Sequence, residues 1–209
     1  MTIPVTRRRE NTRARLLDAA AQVFAEDGLD GASVEAICER AGFTRGAFYS
    51  NFESKDELFL ELASTVAEER LASVRGRIGE VVADGQMGAA DPVALVQRVL
   101  DSGLNDRLDV LMMSEIRIHA LRDQAFGKAL RAQDRAMIAS IEAIIQDIVD
   151  SGLFALRVDV PVAAQMLMVQ WEGCMVRAAL SGYDGEELHR AGAESLGQLV
   201  GLIIAPAGS

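Results

Sequence analysis

Apolar residues in the first 60 positions recur at three- and four-residue steps, the spacing that lines one face of an α-helix. Leu16, Leu17, Ala20, Val23 and Phe24 form such a face, which predicts a helix over 10–27 with Gly28 as its C-cap. Gly28-Leu29-Asp30-Gly31-Ala32 reads as a turn cluster. Ser33 then caps a short helix with Val34, Ile37 and Ala41 on its inward face, and Gly42 ends it. Thr44 caps another short helix, Arg45 to Asn51, whose apolar anchors are Ala47, Phe48 and Phe52. Ser54-Lys55-Asp56-Glu57 has the S-x-x-E form of a capping box, so a longer helix starts there and runs through Leu58, Leu62 and Val66 towards Arg77.

After Ala83 the composition shifts to Asp-Gly-Gln-Met-Gly-Ala-Ala-Asp-Pro, a loop. From Pro92 onward helices are predicted over 92–103, 106–121, 124–151, 160–181 and 186–204, with breaks at Gly152, Pro161, Gly182 and Gly185. The fold class is all-α. A small N-terminal module spans 1–60, preceded by a flexible basic arm over 1–9, and a larger helical domain spans 61–209. Composition supports this: with 4 prolines and 5 % aromatic residues, the chain lacks the turns and β-rich strands of a sandwich or barrel.

Charge and cysteines narrow the chemistry. The net charge of −10 argues against a nucleic-acid partner for the chain as a whole, but screening limits any charge to about 8–10 Å. Distribution therefore decides. Residues 1–20 carry five arginines against Glu10 and Asp18, whereas 61–209 carry 13 basic and 21 acidic residues. The start, though basic, has Glu10, Arg13, Arg15 and Asp18 where a signal peptide needs an apolar core. No run reaches the roughly 18 apolar residues of a membrane span, so a cytoplasmic protein is expected. Cys38 and Cys174 lie far apart with no C-x-x-C or H-x-x-x-H spacing, which removes a disulfide framework and a zinc site. Cys38, on the apolar side of its helix, reads as a small buried hydrophobe. No cofactor is predicted.

The informative stretch is Ser33 to Leu58. Two short helices joined by Ala41-Gly42-Phe43 have the length and glycine-containing turn of a helix-turn-helix, whose second helix enters the DNA major groove. Its exposed face offers Thr44, Arg45, Tyr49 and Asn51, partners for base edges and phosphates rather than catalytic groups. Ala41-Gly42, Thr44, Gly46, Tyr49, Phe52, Lys55 and Leu58 stand at the offsets of the pattern A-G, S/T-x-G-x-x-Y-x-x-F-x-x-K-x-x-L. On these residues the chain resembles the TetR family of bacterial transcriptional regulators. The resemblance covers about residues 10–60 and implies a helix-turn-helix module followed by a helical ligand-binding and dimerisation domain. It puts Ser33 at a helix N-terminus facing phosphate, makes Arg45 the leading base reader with Thr44 beside it, and gives Tyr49, Asn51 and Lys55 backbone contacts. Two positions depart from the pattern. Asn51 stands where His or Tyr is usual, and Glu35 puts a carboxylate where it either repels phosphate or accepts from a cytosine amine.

Downstream, Leu108, Leu111, Met112, Glu115 and His119 form a stripe over 106–121, and Met166, Gln170, Gly173 and Arg177 share a face of the helix over 160–181. An apolar wall with a few polar groups is a small-molecule site. Met112, Glu115, His119, Met166, Gln170 and Arg177 are therefore candidate ligand contacts, the alternatives being core packing and a plain Glu115–Arg177 salt bridge. Leu167, Trp171, Cys174 and Ala178, with Leu188, Gly192, Ser195, Leu196, Leu199 and Ile203, fit the four-helix dimer interface that the resemblance implies for the last two helices.

The reading is a homodimeric repressor on a near-palindromic double-stranded operator, released by a small hydrophobic effector. The alternatives are a helical DNA-binding or interaction protein without effector, or a helical enzyme. For the last there is no P-loop, H-E-x-x-H or G-x-S-x-G, and Glu186 and His189 make a single Glu-x-x-His where a di-iron site needs two.

Overall fold

The computed structural model describes residues 5–83, 92–100, 107–152 and 154–206. Its elements are α1 (Val5–Gly31), α2 (Val34–Ala41), α3 (Arg45–Tyr49), α4 (Lys55–Ala83), α5 (Pro92–Leu100), α6 (Arg107–Arg122), α7 (Gln124–Asp150), β1 (Phe154–Leu156), α8 (Val160–Leu180), α9 (Gly185–Ile203) and β2 (Ile204–Pro206). The helices lie where the periodicity predicts them. The loop expected after Ala83 and the end of the helix predicted over 92–103 lie outside the described residues. Of the arm expected over 1–9, residues 1–4 lie outside the described residues, and from Val5 the backbone is helical, with no glycine or proline between Val5 and Gly28. At Gly28 the backbone turns to φ 71°, which breaks the helix before Gly31.

Two compact units form, and they are not consecutive stretches. The first combines Met1–Val66 with Leu111–Arg131, and the second combines Ala67–Val110 with Ala132–Ser209. These units group residues differently from the division at residue 60 expected above. The reason is visible in the first unit's core. The apolar face of α4 continues past Leu58 and Phe59 to Leu62 and Ala63, and Met112, Ile116, Phe126 and Leu130 of α6 and α7 belong to the same buried cluster. Phe24 and Phe59 meet edge to face at 5.1 Å, the arrangement aromatic quadrupoles favour. Each such side chain contributes about 1.5–3 kcal/mol on burial. On α6 the inward pair is Met112 and Ile116, while Leu108 and Leu111 of the expected stripe are exposed. Asp123 caps α7 by accepting from Phe126 N–H at 2.8 Å, and Gly127 lets the turn close, since a Cβ there would lie 2.5 Å from the Ala120 carbonyl oxygen.

The second unit is built on α8 packed against α9, with α5 also on α9. Asp184 starts α9: its carboxylate accepts from Gly185 N–H at 2.8 Å and Arg107 N–H at 3.0 Å. These two backbone donors hold the carboxyl below the usual aspartate range. Close helix approach needs small residues, and Gly192 faces Trp171 and Met175 while Gly197 faces the Val93 backbone. One feature departs from all-helical expectation. Phe154↔Pro206, Ala155↔Ala205 and Leu156↔Ile204 pair as a two-stranded antiparallel ribbon. Three-residue strands are too short to show a period of two, so the pairing has no sequence signal. Among the described residues no helix is long and apolar enough to cross a membrane.

A Cβ at Gly197 would lie 2.5 Å from Val93 Cα, backbone that cannot step aside without separating α5 from α9. Gly197→Ala is expected to destabilise by about 1–3 kcal/mol, read as a lower melting temperature by circular dichroism.

Candidate nucleic-acid interface

Local chemistry sets the two helices of the motif. Ser33 Oγ accepts from Ala36 N–H at 3.1 Å and Thr44 Oγ1 from Ala47 N–H at 3.2 Å, so both predicted N-caps are made. Gly42 adopts the left-handed conformation at φ 70°, ψ 34°, with Phe43 N–H donating to Cys38 O at 2.9 Å. That closure turns the chain sharply from α2 into α3. The five residues of α3 are far too few to be helical alone. Phe48 and Phe52, fully buried with ring centroids 5.7 Å apart, hold it in place. At α4 the capping box is a variant: Ser54 Oγ accepts from Glu57 N–H at 3.1 Å, while the Glu57 carboxylate reaches Glu53 N–H at 2.5 Å.

Two arginines of α1 complete the frame, and sequence reasoning counted them only as positive charge. Arg13 stacks over the Phe52 ring at 4.3 Å, donates to Glu61 on α4 through two N–H groups, and donates to the Asn51 carbonyl just past α3. Arg15 donates to the Ala41 carbonyl at 2.8 Å and lies 4.8 Å over Phe43 in the turn. Arg40 and Glu26 pair α2 with α1, and the Arg40 hydrogen bond holds the Glu26 carboxyl below its usual range. A signal existed in part. Arg13 precedes Leu16 and Leu17 by three and four residues, a charge on the inward face that calls for a partner.

The exposed side of this frame carries the candidate contacts. Ser33, Glu35, Thr44, Arg45 and Tyr49 are all exposed around α2 and α3. Arg45 pairs with Glu35 across the two helices and lies 5.9 Å over the Tyr49 ring. Tyr49, by hydrogen bonding, and then the Glu35 charge hold the Arg45 guanidinium above its already high pKa. Lys55, half-buried at the start of α4, puts its ammonium 5.7 Å from the Phe59 ring centre. Asn51 differs from expectation. Its side chain is 8 % exposed and donates to Ala47 O at 2.8 Å, so it closes α3 from inside and is not offered to a phosphate. The Cys38 thiol is buried and pushed up by that burial and then by Glu35, which leaves it protonated and inert at neutral pH.

The expected ligand contacts fall in different units. Met112, Glu115 and His119 belong to the first, where Met112 is a buried core residue and His119 sits 3.3 Å from Asp56 and edge-on to Phe126. Met166, Gln170 and Arg177 belong to the second, on α8. There Met166 and Arg177 are exposed and Gln170 donates to Ser195 Oγ at 2.6 Å. Among the described residues no group of three His, Cys, Asp or Glu side chains forms a metal site.

Residues 16–62 match the family model for bacterial regulatory proteins of the tetR family. The chain is 42 % identical over 67 residues to the HTH-type transcriptional repressor Rv1474c of Mycobacterium tuberculosis, a match covering 32 % of this chain and 35 % of that protein. It is 31 % identical over 123 residues to the HTH-type nicotine-responsive transcriptional repressor HdnoR of Paenarthrobacter nicotinovorans, covering 57 % of this chain and 59 % of that one. The chain thus spans about a third to three-fifths of the length of these curated relatives. In fold it is similar to the crystal structure of a chain assigned to the TetR-family transcriptional regulators, from Rhodococcus sp., with a TM-score of 0.71 at 21 % identity over 91 % of this chain and 97 % of that one. These relatives are regulators, a non-enzymatic class.

The frame and the exposed face separate by their effect on stability. Arg13→Ala and Asn51→Ala are each expected to destabilise by about 1–3 kcal/mol, because buried partners lose a donor or acceptor. Arg45→Ala, on the exposed face, should change stability by no more than about 0.5 kcal/mol. Urea denaturation of the three variants measures this.

Proposed function

We propose that residues 16–62, which match the family model for bacterial regulatory proteins of the tetR family, are a DNA-binding module and that the whole chain is a homodimeric transcriptional repressor. It binds a near-palindromic duplex operator and leaves it when a small hydrophobic ligand binds. The observation that carries the DNA reading is the exposed Thr44, Arg45 and Tyr49 face, held on a five-residue helix by the buried Phe48 and Phe52. A helix presented this way fits the major groove, about 12 Å wide. Arg45 reads a base edge with Thr44 beside it; Ser33, Tyr49 and Lys55 fix position on the backbone.

Of the residues expected at a dimer interface, Ala178, Leu188, Gly192, Leu196 and Ile203 are buried within the single chain, so dimerisation is supported instead by α8, where Val162, Val169 and Leu180 are exposed along one face of the helix. Apolar side chains grouped on one exposed helix face mark an interaction surface. Two modules then meet half-sites one or more helical turns apart. The effector reading draws on the relative that is nicotine-responsive by name and on the α8 residues Met166, Gln170 and Arg177. Of the six expected contacts, these three lie together on α8 in the second unit. An apolar ligand with an acidic group pairs with Arg177.

A mobility-shift assay on the protein's own promoter region tests DNA binding, and the absence of any salt-sensitive, competitor-resistant shift refutes it. Arg45→Ala is expected to cost about 1–3 kcal/mol and to relax preference at one base position per half-site. Lys55→Ala should weaken binding evenly across sequences and flatten the salt slope.

For the effector, a thermal-shift screen should find ligands that stabilise by about 2.7 kcal/mol at a hundredfold excess over Kd. Their effect should shrink in Arg177→Ala, and they should weaken operator binding, since coupling is reciprocal. Hits that leave operator affinity unchanged would favour a DNA-binding protein without an effector switch.

A further inference from the structure

The residue assigned to base reading is already engaged within the protein. Glu35, in the first turn of α2, and Arg45, the first residue of α3, form an ion pair between the two helices of the motif. Both side chains remain exposed, 58 % for Glu35 and 60 % for Arg45. An exposed pair of this kind adds little to stability, so its consequence lies in orientation and charge. A guanidinium carries five N–H donors in a rigid fork. One terminal nitrogen, Nη1, is on Glu35, and Tyr49 also hydrogen-bonds the guanidinium, its ring 5.9 Å from the guanidinium carbon, so two of the five donors are engaged. The remaining donors keep room for a two-acceptor partner.

We propose that Glu35 is a specificity-determining positioning residue: it holds Arg45 by one edge and steers the other edge onto guanine rather than phosphate. The proposal rests on the duplex-binding reading above and deepens it. Guanine N7 and O6 are two neutral acceptors spaced for the free side of the fork. A phosphate reached by the same arginine would bring its anionic oxygens up to the Glu35 carboxylate, within a Debye length and on the same side. The base contact therefore keeps the pair intact, whereas the phosphate contact sets two anions against one cation. The carboxylate also cancels the positive charge that would otherwise attract any duplex, so discrimination rises as non-specific affinity falls.

The test uses the full chain. Wild-type protein selects preferred duplexes from a randomised pool. Wild type, Glu35→Gln and Arg45→Ala are then titrated with a selected and a scrambled duplex by fluorescence anisotropy at several salt concentrations. Circular dichroism checks that each variant is folded, as exposed positions lead one to expect. Glu35→Gln should bind the scrambled duplex roughly three- to tenfold more tightly, with a salt slope steeper by about one. It should also lose about fivefold or more of its preference at the base pair where Arg45→Ala loses preference. The proposal is overturned if Glu35→Gln keeps wild-type affinity for the scrambled duplex and wild-type preference at that base pair. It is equally overturned if preference is lost only at a base pair that Arg45→Ala does not affect, since Glu35 would then read a base by itself. A wild-type protein that enriches no sequence refutes the duplex-binding reading itself, a result distinct from either outcome for Glu35.

Discussion

A helix of five residues has no stability of its own, and every feature of the exposed face around it depends on how α3 is held. Nucleating one helical turn costs more than its few hydrogen bonds return. The balance is met by Phe48 and Phe52, which are fully buried and bring about 1.5–3 kcal/mol each. They join a cluster that reaches α1, α2, α4, α6 and α7, so the orientation of α3 is a property of the whole first unit. Met112, Ile116, Phe126 and Leu130, distant in sequence, share that cluster and so help to hold α3. Without them the inward side of α4 beyond Phe59 would be uncovered.

Charge in this unit serves mostly internal order. Arg13 and Arg15 tie the carbonyl ends of α3 and α2 to α1, each with an aromatic ring beneath it, and Arg40 is occupied by Glu26. Glu35 neutralises much of Arg45. A sequence count of N-terminal arginines therefore overstates the charge available to a polyanion. In a chain of net charge −10, such an interface depends on geometry more than on bulk attraction. The second unit is ordered differently, by close approach: Gly192 and Gly197 let α9 sit against Trp171 and against the α5 backbone, where any larger residue would force the helices apart.

Features under local control are legible along the chain itself. Helix positions follow from three- and four-residue spacing. The caps at Ser33, Thr44 and Ser54 and the left-handed turn at Gly42 involve groups at most five residues apart, so the order of residue types is enough to place them. The eight matched offsets from Ala41 to Leu58 are legible for the same reason. Packing in three dimensions sets the rest: the partners of Arg13 and Arg15, the inward turn of Asn51, the pairing of Glu35 with Arg45, the ribbon of β1 and β2, and the return of α6 and α7 into the first unit. Most of these join groups tens of residues apart, between which spacing along the chain carries no information. The Asn51 side chain has a local acceptor, but its inward turn depends on the burial that holds α3. Periodicity states which face of a helix is buried; it does not state what the burial is against.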